Sequence, residues 1–156
     1  IGVGRQGSAA AYDILKFENP KELLLLDINE ESLKLTTSYT SQRIAFGVPV
    51  ASFQAVSHKA ADCYIGIACF RAVTEQAISK IVQNKCSDEA ISIAKVWCGD
   101  VCHKVSYASQ HMHGGIGVDK QYSLYKYNLW AKQLELSFGS SQYHLNKLSD
   151  FLLENT

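Results

Sequence analysis

Proline, net charge and long apolar runs are the features that this sequence has least of. Only two of its 156 residues are proline, which argues against a loop-rich, disordered or collagen-like chain. Its 15 Lys and Arg residues are balanced by 15 Asp and Glu residues. A neutral chain offers no electrostatic attraction to nucleic acid or to an anionic membrane surface. We therefore predict neither of these partners.

Cysteine and histidine are present, but not in the patterns of a disulfide framework or a metal site. The five cysteines are odd in number and form no Cys-x-x-Cys pair: Cys63, Cys69, Cys86, Cys98 and Cys102. The sequence also shows no apolar leader and no run of membrane-spanning length, so we predict reduced thiols in a cytoplasmic protein. The five histidines match no H-E-x-x-H or Cys/His quartet, which predicts no metal site.

The first thirty residues carry a glycine motif. Gly2, Gly4 and Gly7 form G-x-G-x-x-G, a helix-forming stretch follows, and the apolar run 23–26 ends at Asp27. A glycine turn, a helix N-terminus for a pyrophosphate and a carboxylate for a ribose hydroxyl are the parts of a dinucleotide-binding unit. The stretch looks like the start of a saccharopine-dehydrogenase-like nucleotide-binding domain. Because no further alternation of strands and helices follows, a truncated remnant that binds nothing is the alternative.

From residue 31 onward the hydrophobic pattern has the period of an α-helix. Ser87 is a candidate N-cap, and Gly114 is placed to end the helix that follows it. With 47% hydrophobic residues, the chain can form one packed core. We predict a truncated Rossmann-like β-α-β segment over 1–30 and an all-α bundle of four or five helices over 31–156. The other helices are expected over 31–46, 52–82, 122–136 and 141–153.

Two of these helices are expected to bury one apolar stripe each. The stripe of the long helix contains residues at spacings of three and four: Phe53, Val56, Ala60, Tyr64, Ile67, Ala68 and Ala72. That of the next helix contains Ala94, Trp97, Cys98, Val101, Cys102, Val105, Ala108 and Met112. Cys98 and Cys102 share this stripe, so we interpret them as core thiols.

Two turn motifs are the candidates for chemistry. In the first, Arg43 stands at a helix end beside Phe46 and a glycine turn, where a guanidinium can pair with a phosphate through two hydrogen bonds. In the second, His111 precedes a turn at Gly114 and Gly115, where a ligand can approach the backbone closely. Taken singly, each motif also fits a helix-capping turn with no ligand.

In this order the two motifs resemble the C-terminal helical domain of acyl-CoA dehydrogenases. In that family a helix ending in Arg-x-x-Phe-Gly precedes a Phe-Gln pair and a long helix, and a His-Gly-Gly-x-Gly turn precedes an aromatic-rich helix. The last matching part is similar to the steroid-degrading type of the family. The resemblance covers about residues 32–153, and its matching parts are 38–47, 53–62, 113–117 and 129–136.

The resemblance implies FAD-dependent α,β-dehydrogenation of an acyl-CoA thioester. In that reaction a carboxylate takes the α-proton and the β-hydrogen leaves as hydride to the flavin. By the same likeness, Arg43 and Phe46 would contact the FAD pyrophosphate of a neighbouring subunit, and Gly114 and Gly115 would meet its adenosine-phosphate end. His111 stands where the family usually has Gln.

The sequence departs from the family at the catalytic base. Phe138 occupies the usual position of the catalytic Glu, and phenylalanine cannot accept a proton. The other known position of the base corresponds to Lys34 or Leu35, neither of which is a carboxylate, and Glu135 is three positions out of register. The chain also lacks the family's N-terminal helical domain and middle β-domain. We therefore predict no catalytic residue and no turnover by this chain alone.

Three functions stay open. The first is the C-terminal part, or a base-lacking partner subunit, of an FAD-dependent acyl-CoA dehydrogenase that assembles with other subunits of that family and meets the acyl-CoA through the complex. The second is a fragment of an NAD(P)-binding oxidoreductase defined by Gly2, Gly4, Gly7 and Asp27. The third is a non-catalytic helical oligomerisation module.

Overall fold

The computed structural model describes residues 27–85 and 87–154, which form a bundle of five α-helices and one short β-hairpin. Its helices confirm the predicted all-α bundle. They are α1 (Asp27–Gln42), α2 (Gln54–Val82), α3 (Asp88–His113), α4 (Leu124–Leu136) and α5 (Ser141–Glu154). The hairpin pairs β1 (Ile44–Ala45) with β2 (Val48–Pro49) in antiparallel register, and short 3₁₀ helices cover Val50–Ser52 and Gly114–Val118.

Helix α3 lies at the centre of the bundle and contacts the four other helices. Removing apolar side chains from water is the main stabilising term, at about 25 cal/mol for each Å² buried. The core buries α3 residues against side chains of α1, α2 and α4. Its members are Leu33, Cys63, Ile67, Phe70, Cys98, Val101, Cys102, Val105, Ala108, Met112, Ala131 and Leu134.

Helix α1 packs on α3 along a polar seam. The Ser32 hydroxyl lies 3.1 Å from the Ser109 hydroxyl, and the buried Thr36 and Thr40 hydroxyls donate to carbonyls one turn back, at 2.7 and 2.9 Å. Because these buried hydroxyls all have partners, the cost of removing them from water is offset. The Ser32–Ser109 contact joins α1 to α3 within this seam.

The first helix differs from its prediction at both ends. It begins at Asp27, which was expected to follow a strand, and it ends at Gln42 instead of residue 46. The following segment turns back because Phe46 and Gly47 both have positive φ, 54° and 80°, as in the type I′ turns that join two β-strands. Gly2, Gly4, Gly7 and the strand expected over 23–26 lie outside the described residues.

The buried stripe of α2 is also different from the predicted one. Val56, Ala60 and Ile67 pack towards the core, as expected, but the remaining inward positions are Cys63, Phe70, Thr74 and Ala77. Tyr64 is 69% exposed, and Ala68 and Ala72 are exposed beside it. Apolar residues occur around most of this helix, so its periodicity allowed two stripes and packing on α3 selected one.

Candidate functional site

The two turn motifs meet at one end of the bundle. Tyr39, near the end of α1, stacks on His113, the last residue of α3, with ring centroids 4.5 Å apart and planes at 19°. Lys59, near the start of α2, places its Nζ atom 2.6 Å from Nδ1 of His111. The turns that follow α1 and α3 therefore lie beside the beginning of α2. We call this end, with Arg43, Phe46, His111, Gly114 and Gly115, the glycine-turn end.

The hairpin of the glycine-turn end presents Arg43 and Phe46 outward. The Arg43 N–H closes the last turn of α1 by donating to the Tyr39 carbonyl at 2.8 Å, and its carbonyl accepts from the Val50 N–H at 2.8 Å. Arg43 is exposed, and among the described residues no hydrogen bond or ion pair holds its guanidinium. Phe46 is 97% exposed, although its ring makes an edge contact with Phe53 at 6.2 Å.

The glycine turn presents open backbone. Gly114 has φ of 63°, and a Cβ atom built at either Gly114 or Gly115 would meet nothing within 4 Å. The Gly114 N–H is bonded to the carbonyls that end α3. Gly117, by contrast, is buried, and a Cβ there would lie 2.8 Å from the Gln110 carbonyl oxygen. The first two glycines leave room for a ligand, whereas the third allows the turn to fold back on α3.

His113 is the buried centre of this end, with 4% of its surface exposed. Its Nδ1–H donates to the Ser109 carbonyl at 2.8 Å, and the Tyr122 hydroxyl lies 3.2 Å from its Nε2. Burial lowers the pKa of His113, and the Ser109 hydrogen bond opposes that shift. Burial, with a contribution from Tyr39, raises the pKa of Tyr122. A neutral His113 thus donates from Nδ1 and accepts from Tyr122.

His111 occupies an exposed position next to this centre. Because a lysine ammonium only donates hydrogen bonds, the Lys59 contact makes Nδ1 of His111 the acceptor and leaves the hydrogen on Nε2. The Tyr107 ring stacks on the imidazole at 6.3 Å. Lys59 and Tyr107 therefore both contact the imidazole, and its Nε2–H is left as a hydrogen-bond donor.

Phe138 lies in the turn between α4 and α5, away from the glycine-turn end. It has φ of 59° and is 77% exposed. His144 donates from Nε2 to the Phe138 carbonyl at 2.9 Å, and the Ser92 hydroxyl lies 3.3 Å from His144 Nδ1. Gly139 follows with φ of 99°, and a Cβ there would lie 2.6 Å from the Tyr143 ring. These contacts hold the turn in a conformation that exposes the Phe138 side chain.

Three other residues stand at or near a possible position of the catalytic base: Glu135, Lys34 and Leu35. Glu135 pairs with Lys132 at 2.6 Å and lies 3.8 Å from His103 Nδ1. Lys34 pairs with Glu31 at 2.6 Å, and Leu35 is half-buried. Glu135 is therefore engaged with two side chains of its own chain.

The cysteine and histidine side chains do not gather into a metal-binding group in the part of the chain that the structure describes. Cys98 and Cys102 are buried in the core, where the sequence pattern put them. A hydrogen bond with Cys102 lowers the pKa of Cys98, and burial opposes that shift. Over the same residues, no helix has an apolar stretch long enough to span a membrane.

Sequence reasoning found the two turns but missed what connects them. Tyr39 lies within the matching part 38–47 and His113 within 113–117, yet their stacking depends on α1 running beside α3. Tyr122 was placed only as the start of a helix. The spacing of four between Ser109 and His113 was the available signal for the hydrogen bond within α3, since such residues lie one above the other on a helix.

The residues of the glycine-turn end have the chemistry to receive a ligand that carries a phosphate. The Arg43 guanidinium, which pairs with none of the residues that the structure describes, suits a phosphate. Phe46 offers an apolar ring, and the space over Gly114 and Gly115 admits a ligand to the backbone. All of them are on the outer surface. A cofactor at this surface would therefore need further contacts from another part of the protein or from another subunit.

Comparison with known families gives one extended match. The family described as acyl-CoA dehydrogenase, C-terminal domain, matches residues 25–153. Among curated proteins, the acyl-CoA dehydrogenase FadE27 of Mycobacterium tuberculosis is 31% identical in an alignment 137 residues long that covers 83% of this chain and 37% of FadE27. The chain thus spans little more than a third of that relative.

Solved structures agree with this match. The ChsE4–ChsE5 complex of Mycobacterium tuberculosis is 30% identical with a TM-score of 0.81, over 95% of this chain and 38% of the matched one. The Tcur3481–Tcur3483 steroid ACAD, in a variant form, is 37% identical with a TM-score of 0.80, over 85% of this chain and 37% of the matched one. The bundle described above is therefore the fold of these proteins' matching domain.

Proposed function

Since this chain belongs to the acyl-CoA dehydrogenase family, whose C-terminal domain it contains, we propose that it serves an FAD-dependent acyl-CoA dehydrogenase. Its role is to supply FAD contacts across a subunit interface and to hold subunits together. The observation that carries the proposal is the glycine-turn end. There, Arg43 and Phe46 are exposed at the same end of the bundle as the open backbone of Gly114 and Gly115.

Within that enzyme we assign no catalytic base to this chain. A base for the α-proton must be a group that accepts a proton within hydrogen-bond reach of it. Phe138 offers none, and Glu135 is already paired with Lys132. The chain therefore acts either as a base-lacking partner subunit or as part of a protein whose base lies elsewhere. The acyl-CoA substrate, an intermediate of fatty-acid or steroid degradation, is bound by the assembled complex. We propose a cytoplasmic location for this complex.

The outer face of α2 supports the assembly part of the proposal. Tyr64 and Ile65 are exposed there, with Ala61, Ala68 and Ala72 on the same face. A helix that is apolar on both faces is normally covered on both, and exposed apolar patches mark interfaces. We assign this face to a helix of a second acyl-CoA dehydrogenase subunit.

Arg43→Ala in the complex tests the flavin contact. Losing a charge-assisted hydrogen bond costs about 1.5–3 kcal/mol, so we expect FAD to bind roughly 10-fold more weakly or worse, measured by flavin fluorescence during titration of the apo complex. Arg71→Ala is the matched control, because Arg71 pairs with Glu30 on another part of the surface. Equal affinity in both variants would remove Arg43 from the site.

Ile65→Lys tests the interface on α2. A charge at the centre of an apolar contact should split the complex in size-exclusion chromatography. Val82→Lys, at the end of the same helix about 25 Å away, is exposed but outside the patch and should leave the complex intact. If neither variant changes the elution volume, the α2 face is not the interface.

The NAD(P)-binding alternative depends mainly on Gly2, Gly4 and Gly7, which lie outside the described residues, and it stays a prediction. Measuring absorbance of the purified complex separates the two cofactors. Flavin absorption supports the proposal, whereas retained NAD(P) without flavin would overturn it.

A further inference from the structure

His113 connects the two parts of the glycine-turn end that face outward. We propose that His113 is a positioning residue, which sets the spacing between the Arg43 hairpin and the Gly114–Gly115 turn through its contacts with Tyr39 and Tyr122. The role rests on the proposed flavin contact. With 4% of its surface exposed, His113 acts on a ligand through these neighbours.

The first connection closes the glycine turn. Tyr122 and His113 are nine residues apart in sequence, and their side chains meet at 3.2 Å. Between them lie Gly114 and Gly115, which have no side chains that could restrict the backbone. The hydrogen bond between Tyr122 and His113 Nε2 therefore joins the two ends of the segment that contains the open backbone. The Ser109 carbonyl accepts a hydrogen bond from the other ring nitrogen, Nδ1, at 2.8 Å. Both nitrogens of the ring are fixed, so the ring cannot rotate without losing a hydrogen bond.

The second connection reaches the arginine hairpin. The Tyr39 ring lies flat on the imidazole at 4.5 Å, and the Tyr39 carbonyl accepts the N–H of Arg43 at 2.8 Å. Tyr39, whose ring is stacked on His113, thus lies one helical turn before the hairpin. A shift of the imidazole would move Tyr39 and, through it, the start of the hairpin. The same ring therefore contacts Tyr39, which precedes the arginine hairpin, and Tyr122, which follows the glycine turn.

A second buried histidine in the chain provides a matched control. His144 also donates to a main-chain carbonyl and lies beside a hydroxyl, those of Phe138 and Ser92. Ser92 is 21 residues before His113 along α3, or about 31 Å at 1.5 Å per residue. His144→Asn should therefore disturb packing as much as His113→Asn does, but at the opposite end of the helix.

The experiment compares His113→Asn, Tyr122→Phe and His144→Asn in the assembled complex. For each variant, FAD affinity is measured by fluorescence titration, bound flavin by its visible circular dichroism, and folding by the thermal midpoint. We expect His113→Asn and Tyr122→Phe to weaken FAD binding at least fivefold and to change the flavin dichroism. His144→Asn should lower the midpoint without either effect.

The outcomes separate the two proposals. If the wild-type complex binds no flavin, the proposed function fails. If it binds flavin and both glycine-turn variants retain wild-type affinity and dichroism, the positioning role is wrong. If affinity falls in all three variants in proportion to their midpoints, His113 is only a packing residue and the proposal is again overturned. Should His113→Asn not assemble, Tyr122→Phe decides, because it keeps the ring and removes only the hydroxyl.

Discussion

Gly117→Ala and Gly115→Ala make a matched test of the geometry at the end of α3. A methyl group at Gly117 would lie 2.8 Å from the Gln110 carbonyl oxygen and 3.0 Å from the His113 Cβ atom. Both contacts are closer than side-chain carbons normally approach, and the carbonyl belongs to the helix backbone, which cannot simply rotate away. At Gly115 the same methyl group would meet nothing within 4 Å.

The size of the effect follows from this crowding. Overpacking a well-packed site costs about 1–3 kcal/mol. At about 2–4 °C for each kcal/mol in a domain of this size, a loss of about 2 kcal/mol lowers the midpoint of Gly117→Ala by about 4–8 °C. Gly115→Ala should not lower the midpoint, because Gly115 has no positive φ and alanine at such a position stabilises by about 0.4–1 kcal/mol.

The assay is thermal unfolding followed by circular dichroism, with FAD titration of the assembled complex alongside. Gly115→Ala should weaken FAD binding without lowering the midpoint, since its methyl group occupies space offered to the ligand. A wild-type midpoint for Gly117→Ala would refute the packing described for this turn. Unchanged FAD affinity in Gly115→Ala would refute the close approach of the ligand to the backbone.

Three further predictions concern stability and reactivity. Phe138→Asn should raise the free energy of unfolding by up to about 1 kcal/mol in denaturant titrations, because Asn tolerates a positive φ better than Phe and little buried apolar area is lost. A clear loss of stability would show instead that the Phe138 side chain is packed. Burial lowers the pKa of His113, so its contribution to stability is complete above the unfolded value of about 6.5 and is lost as pH falls through 6.5 towards the folded pKa. Unfolding between pH 5 and 8 should thus lose part of its pH dependence in His113→Asn, and an unchanged profile would contradict this. Burial raises the pKa of Cys63 to about 11, so DTNB at pH 8 should modify it only on unfolding; rapid reaction of the native protein at Cys63, identified by peptide mapping, would show the thiol to be accessible.

The helices were predicted well because they depend on local pattern. The end of α2 falls at the predicted residue, Ser87 stands before α3 and Gly114 follows it. Gly114 ends α3 with a positive φ, as expected of a glycine there, and acts within a few residues. The Ser87 side chain, in contrast, makes no capping hydrogen bond, so the expected N-cap bond is not formed. The hairpin after α1 was missed because Phe46 adopts a positive φ, which sequence alone does not favour for an aromatic residue.

The choice between faces of a helix was less predictable. Trp97 was expected in the core and is partly exposed, whereas Phe70 was not singled out and is buried. Both are large and apolar, so their own properties do not distinguish them. What distinguishes them is whether a neighbouring helix packs against the side chain.

By itself, the sequence determined the helical bundle, the two turn motifs and the absence of a carboxylate at position 138. It did so because residue type and spacing along one chain decide all three. Only the tertiary structure decided that Tyr39 and Tyr122 meet on His113, that the two turns share one end, and that Tyr64 faces outward. Those facts depend on how α1, α2 and α3 lie against one another, and contacts between residues far apart in sequence leave no regular spacing along the chain.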